Sequence, residues 1–201
     1  MSAQRDNVRP GLNSPGTYAP CGACAGEGAR VPSMKDPRIV IVGFMGCGKT
    51  SVAEALARQL HCDSIDLDSV ITEHEGRSPG EIIQQDGEAA FREIETDALR
   101  ASLEQKQARV IALGGGAWTI EANRRLVAEH DCLSVWLDAP FELCWERITS
   151  SAKTTRPLAP DCESARKLYE SRRGSYELAQ LHVDAKKGLS EMLSALGRSI
   201  T

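Results

Sequence analysis

Three consecutive segments constrain this chain more than anything else in it: Arg38-Ile39-Val40-Ile41-Val42, then Gly43-Phe44-Met45-Gly46-Cys47-Gly48-Lys49-Thr50, then Ser51 to Leu60. The first is short, apolar and β-branched, as a buried strand must be. The third places apolar residues at 52, 53, 56, 57 and 60, one face of a helix. The middle segment matches G-x-x-x-x-G-K-[ST] at every fixed position, in the strand-to-helix context where such a loop can wrap a phosphate. Its glycines let successive backbone N–H groups converge on phosphate oxygens, and the helix N-terminus adds partial positive charge. Gly46, Cys47, Gly48, Lys49, Thr50 and Ser51 are the expected contacts to a nucleoside triphosphate. Lys49 is expected to reach the β- and γ-phosphates and Thr50 to ligate Mg²⁺. A glycine-rich turn with a chance Lys-Thr is the plainer alternative, and it leaves the flanking strand and helix as coincidence.

The 201 residues suit one domain with a large core and an appended segment. A net charge of -4 gives no global basic field, which argues against nucleic-acid and membrane partners. A polyphosphate ligand must then be neutralised locally, by Lys, Arg and metal. No run of ~18 apolar residues is present, so no transmembrane helix is expected. Seven cysteines, an odd number scattered through the apparent strands and helices, point to a reduced, cytoplasmic protein. Cys21-Gly22-Ala23-Cys24 has the spacing of half a zinc site or a redox pair. Without a second pair or a surrounding βαβ unit it reads as two incidental thiols.

Residues 1–33 hold four of the nine prolines (Pro10, Pro15, Pro20, Pro32) and five glycines, with few large apolar residues. Such a composition cannot bury enough surface to offset ordering entropy. No signal-peptide h-region is visible, and Asp6 and Glu27 weaken a transit-peptide reading. The segment is expected to be a flexible extension, either dispensable or the product of a start codon placed too early, before a folded domain over 34–201.

From Lys35 onward strand and helix alternate. Strands are expected at about 38–42, 62–67, 108–113, 132–138 and 180–184, and helices at about 49–60, 88–106, 119–129, 140–149, 161–175 and 187–198. The alternation implies an α/β fold, a mostly parallel sheet covered on both faces, with ligands at the carboxyl ends of its strands. Asp66 and Asp68 end the second strand; were it to stay extended, they would share a face. One could support a metal ion and the other hold a substrate hydroxyl, or the pair is an ordinary acidic turn with Asp68 as a helix N-cap. Gly114-Gly115-Gly116 closes the third strand, as exposed amides for a carboxylate or hydroxyl, or as a tight structural turn.

Further along, Gly87-Glu88-Ala89-Ala90-Phe91-Arg92-Glu93-Ile94-Glu95 fits G-E-x-x-F-R-x-x-E, Arg156-Pro157-Leu158 follows a small polar stretch, and Arg172 stands four residues before Tyr176. With the P-loop, the D-x-D and the triple glycine, in this order and spacing, the chain resembles the shikimate kinases over about residues 36–198. The resemblance implies a nucleoside-monophosphate-kinase type of fold: a three-layer sandwich with a five-stranded parallel sheet, a substrate-binding region at about 68–97 and a mobile lid at about 149–163. It implies that ATP, with Mg²⁺, phosphorylates the 3-hydroxyl of shikimate, a step of aromatic amino-acid synthesis. It assigns Lys49 and Arg156 to the transferring phosphoryl group, and Thr50 and Asp66 to Mg²⁺. Asp68 is assigned to the ring hydroxyls and the nucleophile. Arg92, Arg172 and the amides of Gly115 and Gly116 take the substrate carboxylate beside Gly114, and Arg147 flanks the adenine.

Shikimate is a small carboxylate with three hydroxyls, so guanidinium forks for its carboxylate and carboxylates for its hydroxyls make chemical sense. Glu95, three residues after Arg92 on one helical face, could hold that fork in place. Taken alone, either arginine would read as part of a solvated helix face. Ser150 to Arg156 is small, polar and basic, suiting a loop that closes over phosphates and excludes water. Ala159 and the long spacing from Arg147 to Arg156 depart from the family pattern. Cys47, at a helix N-terminus beside Lys49, is either a small filler or a thiol of lowered pKa whose oxidation would block ATP. Kinases of the same fold acting on gluconate or a nucleotide are the nearest rivals; a GTPase lacks its N-K-x-D here. A noncatalytic nucleotide-binding module is disfavoured by the joint presence of Lys49, Asp66, Asp68, Arg92, Arg156 and Arg172. A monomer suits a chain whose lid and core must move relative to each other.

Overall fold

Ile39–Val42 forms β1, and all four side chains are fully buried. Neighbours along a strand point to opposite faces of a sheet, so this pattern requires cover on both sides. Burying each of these side chains contributes roughly 1.5–3 kcal/mol, which places the strand at the centre of the core. In this computed structural model the described residues are 37–106, 108–150 and 158–200. The 1–33 extension, the cysteine pair within it, and Arg156 and Pro157 of the expected lid lie outside them.

Five strands pair in parallel in the order β2-β3-β1-β4-β5, with β2 at Ser64–Asp66, β3 at Val110–Ala112, β4 at Leu133–Asp138 and β5 at Leu181–Asp184. Helices α1 (Lys49–Leu60), α2 (Leu67–Glu75), α3 (Pro79–Asp86), α4 (Glu88–Gln105), α5 (Glu121–Glu129), α6 (Phe141–Ser150), α7 (Cys162–Tyr176) and α8 (Leu189–Ile200) flank the sheet. This is the expected doubly covered α/β architecture. The strand order brings the ends of β1, β3 and β2 side by side: Ile41 and Asp66 both register with Ala112. The P-loop, the triple glycine and the first acidic residue therefore emerge from three adjacent strands.

Two helices over 67–86 were not among the expected elements, because each is short and weakly apolar. A signal for α3 was present: Ser78 accepts from Glu81 N, Pro79 sits in the first turn, and the Glu81 carboxylate accepts from Ser78 N, a complete capping box. Likewise the helix expected over 119–129 is a 3₁₀ turn, Ala117–Thr119, followed by α5. Buried Asn123 donates to Ala117 O at 3.0 Å and Arg124 to Trp118 O at 2.7 Å, tying that turn to α5.

The main core runs through the sheet, and a satellite cluster forms where Phe141, Ala159 and Ala165 meet, with Met45, Trp145 and Tyr169 against it. Ala159, a departure from the family pattern, is a buried member of that cluster. The small side chain admits Phe141, whose ring meets Tyr169 edge-on at 5.7 Å and stacks on Trp145 at 6.2 Å.

Candidate active site

A cleft of about 1080 Å³ opens at the carboxyl ends of the strands. It is lined by Gly46, Gly48, Lys49, Thr50, Ser51, Asp66, Asp68, Arg92, Glu95, Gly114, Gly115, Gly116, Arg147 and Arg172. These are the sequence-selected residues, together with Glu95; Cys47 is buried behind the loop, and Arg156 is outside the described residues.

On the phosphate side, Gly46 has φ +78° and a Cβ there would lie 2.6 Å from Cys144 O of α6. Both the left-handed backbone and the close approach require glycine. Lys49 Nζ donates to Gly43 O and Phe44 O, each at 3.0 Å, so its ammonium already rests across the loop mouth. Arg147 Nη1 donates to Cys47 O at 3.1 Å and Gly46 O at 3.4 Å, laying the guanidinium over the P-loop.

Of the two readings of Cys47, its surroundings favour the small filler. Its side chain is 1% exposed, and burial pushes its pKa up, outweighing the opposing pull of Lys49 and Arg147. Nothing here favours a thiolate of lowered pKa: the sulfur is buried in the core beside Cys144.

The acidic pair is also arranged differently from an extended strand. The strand ends at Asp66, which caps α2: its Oδ1 accepts from Asp68 N at 3.0 Å and Ser69 N at 3.4 Å. Asp66, not Asp68, is the N-cap, and Asp68 sits in the first helical turn. Capping bends the chain so that both carboxylates still line the cleft. Asp66 Oδ2 accepts from Thr50 Oγ1 at 2.5 Å. Hard oxygen donors, one anionic, thus stand together beside the P-loop. That donor set fits Mg²⁺, which prefers few protein oxygens, several waters and substrate phosphates.

Across the cleft, the triple glycine admits side chains where Cβ atoms would stand. A Cβ at Gly114 would meet Glu95 Oε1 and lie 2.8 Å from Asp68 Oδ1; one at Gly116 would run into the Arg92 guanidinium. Arg92 is held by Glu95 Oε2 at 2.6 Å and by Glu88 Oε1 at 2.9 Å. Glu95 is fully buried, and burial, reinforced by Asp68, lifts its carboxyl above the usual range against the pull of Arg92. Its Oε1 has no hydrogen-bond partner. Arg172, on α7, is 7% exposed, and burial draws its pKa down, with Arg92 adding repulsion against the counter-effect of Tyr176. Among the described residues no carboxylate lies within salt-bridge distance of Arg172. Two guanidinium groups crowded at one end of a cleft, one of them with Glu88 and Glu95 acting on it only from beyond salt-bridge distance, create a demand for an anion.

Glu88 and Tyr176 back this wall although neither was assigned a role from sequence. For Glu88 the available signal was its i,i+4 spacing to Arg92, and for Tyr176 its i,i+4 spacing from Arg172.

A phosphate loop facing an anion-demanding recess defines a P-loop kinase for a small acceptor. A family model described as shikimate kinase matches residues 45–199. The shikimate kinase of Cereibacter sphaeroides is 39% identical over 171 residues, covering 84% of this chain and 84% of that protein. Shikimate kinase from Bacteroides thetaiotaomicron superposes with a TM-score of 0.73 at 29% identity, over 82% of this chain and 98% of that one. The shikimate kinase from Acinetobacter baumannii, solved in complex with shikimate, gives a TM-score of 0.74 at 31% identity, over 82% and 92% of the two chains. This chain belongs to the shikimate kinase family.

Proposed function

We propose that the protein transfers the γ-phosphoryl group of ATP to the 3-hydroxyl of shikimate, giving shikimate 3-phosphate and ADP. The observation that carries this reading is the single cleft, in which the P-loop with Lys49 and Thr50 faces a recess built from Arg92, Arg172 and the glycine loop. Only an acceptor with an anionic group a few bonds from its reacting hydroxyl uses both ends.

ATP phosphates lie in the P-loop, drawing Lys49 Nζ from the Gly43 and Phe44 carbonyls to the β- and γ-oxygens. Arg147 flanks the adenine, leaving the loop carbonyls it covers in this structure. Thr50 and Asp66 would hold Mg²⁺, which neutralises charge on the phosphates. Shikimate binds with its carboxylate on Arg92 and Arg172 and on the amides of Gly115 and Gly116. Glu95 and Glu88 fix the Arg92 fork from behind, so little ordering is left for the substrate to accomplish. Asp68 accepts the proton of the 3-hydroxyl or aligns it, the oxygen forms a bond to the γ-phosphorus, and the bond to the β–γ bridging oxygen breaks. Arg156, in the lid, adds positive charge to the transferring group as closure excludes water.

The test is ADP release from MgATP with and without shikimate, with the product weighed by mass spectrometry. Shikimate-dependent turnover to a monophosphorylated product is expected. ATP binding with no dependence on shikimate would overturn the acceptor assignment and leave the P-loop reading standing, with other hydroxy acids next to be screened.

A further inference from the structure

Tyr176 is the last residue of α7, 2% exposed, and lies behind the recess rather than in the cleft lining. A buried phenol hydroxyl needs a hydrogen-bond partner, and the one it finds belongs to a different wall of the site. The hydroxyl donates to Gly115 O, in the middle of the triple glycine, across 61 positions of sequence. Arg172, one turn earlier in the same helix, brings its guanidinium to the same loop: Nη1 lies 3.7 Å from where a Cβ on Gly115 would stand. The ring is itself fixed, stacked on Trp136 of β4 at 6.2 Å between centroids and 27° between planes. One rigid side chain, anchored to the central sheet, therefore joins the glycine loop after β3 to the end of α7, the helix that carries Arg172.

Without it, neither partner is held well. Gly115 has no side chain of its own, and the glycine backbone is the most permissive of any residue. Arg172 has a long side chain and, among the described residues, no carboxylate within salt-bridge distance, Glu88 and Glu95 acting on it only from further off. A buried arginine restrained only by backbone packing samples several rotamers, each costing order when a substrate binds.

We infer that Tyr176 is a positioning residue for the acceptor's carboxylate: its hydroxyl sets the distance between the Gly115 backbone and the Arg172 guanidinium, and so presets the recess to the width of one carboxylate. This rests on the reading that Arg172 and the glycine loop receive that carboxylate. Tyr176 touches no reacting atom; it acts through the two groups it joins. Its loss leaves the Gly115 carbonyl without its buried partner and unties the glycine loop from α7, and the cost falls on recognition of the carboxylate rather than on phosphoryl transfer.

The experiment compares wild type with Tyr176→Phe, which keeps the ring and its stack and removes the hydroxyl. KM and kcat are measured for ATP, for shikimate and for shikimate methyl ester, which keeps all three hydroxyls and lacks the negative charge. Tyr176→Phe is expected to raise KM for shikimate about tenfold, the scale of one buried carbonyl left without its hydrogen bond. KM for ATP is expected to stay within about twofold, and the preference for shikimate over its ester to fall by a factor similar to the rise in KM. Tyr176→Met, which fills the space with a flexible apolar chain, carries the same comparison where the Phe variant yields no folded protein. An unchanged preference overturns the proposal whatever happens to Tm, because packing alone then explains the tyrosine. So does a parallel rise in both KM values with the preference intact. Arg172→Ala separates this inference from its foundation. Loss of preference there with an unaltered Tyr176→Phe removes the tether alone, whereas an unaltered preference in Arg172→Ala removes the carboxylate recess and the tether with it.

Discussion

At Cys47 two opposing influences meet on one sulfur. Lys49, Arg147 and nearby backbone N–H groups favour a thiolate, while complete burial disfavours any charge, and burial wins. Charge–dipole help at a helix N-terminus is worth about 0.3–1 kcal/mol, far below the cost of an unpaired buried charge. Brief alkylation of the native protein, mapped by peptide mass, is therefore expected to label exposed Cys162 well ahead of Cys47, with ATP making little difference at Cys47. Fast, ATP-protected labelling of Cys47 would revive a reactive-thiol role. Glu95 shows the same competition with a carboxyl. Burial, then Asp68, raise its pKa from 4.5 against the attraction of Arg92. A folded-state pKa above the unfolded one means a contribution present below the unfolded value and lost as pH rises through the folded one. Glu95→Gln does not titrate, so the difference in Tm, wild type minus variant, is expected to fall as pH rises from 4.5 towards neutrality. A flat difference would mean that Arg92 cancels the burial.

At the scale of elements, the site is made by ends rather than by middles. The N-terminus of α1 faces the phosphates, the N-cap of α2 turns Asp66 towards Thr50, and the loop after β3 yields space to the Arg92 fork. Gly116 tests the last of these. A methyl group there collides with a guanidinium held on two sides by Glu88 and Glu95, so the fork must move. Gly116→Ala is expected to raise KM for shikimate by about tenfold or more, the cost of displacing one charge-assisted contact, with KM for ATP nearly unchanged. Equal effects on both substrates would show that the loop serves the whole cleft. The segment expected from the resemblance to form a lid is the second case. Its flanks are well anchored, α6 ending at Ser150 and Ala159 locked between Phe141 and Ala165. Arg156→Ala is expected to lower kcat by ~10³ or more, the scale of an arginine finger, and a near-normal kcat would remove Arg156 from the chemistry.

For the whole molecule, every described element lies between Ile39 and Ile200, and the family match spans residues 45–199. A chain starting at Met34 is accordingly expected to match the full chain in Tm and in kcat/KM for shikimate; loss of either would give residues 1–33 a part in the fold or the site. The P-loop, the alternation of strands and helices, and the five parallel strands were legible in the sequence because each is written locally, in glycines at fixed offsets and in apolar period. So were the P-loop, acidic-pair, Arg92 and glycine-loop residues of the cleft, since the motif spacings that mark them are local too, whereas Ser69, Thr72, Glu73 and the 78–80 corner that also line it carried no motif of the site. Helices α2 and α3 were not, because short polar helices carry too little periodicity to stand out, although Ser78, Pro79 and Glu81 spelled a cap. The strand order, the turn at Asp66 that makes it rather than Asp68 the cap, the burial of the Cys47 sulfur, and the phenol of Tyr176 joining Gly115 to the end of α7 were decided only by the tertiary structure. Each depends on which groups from distant parts of the chain compete for the same buried volume, and burial and hydrogen-bond satisfaction are properties of that shared space, not of sequence neighbours.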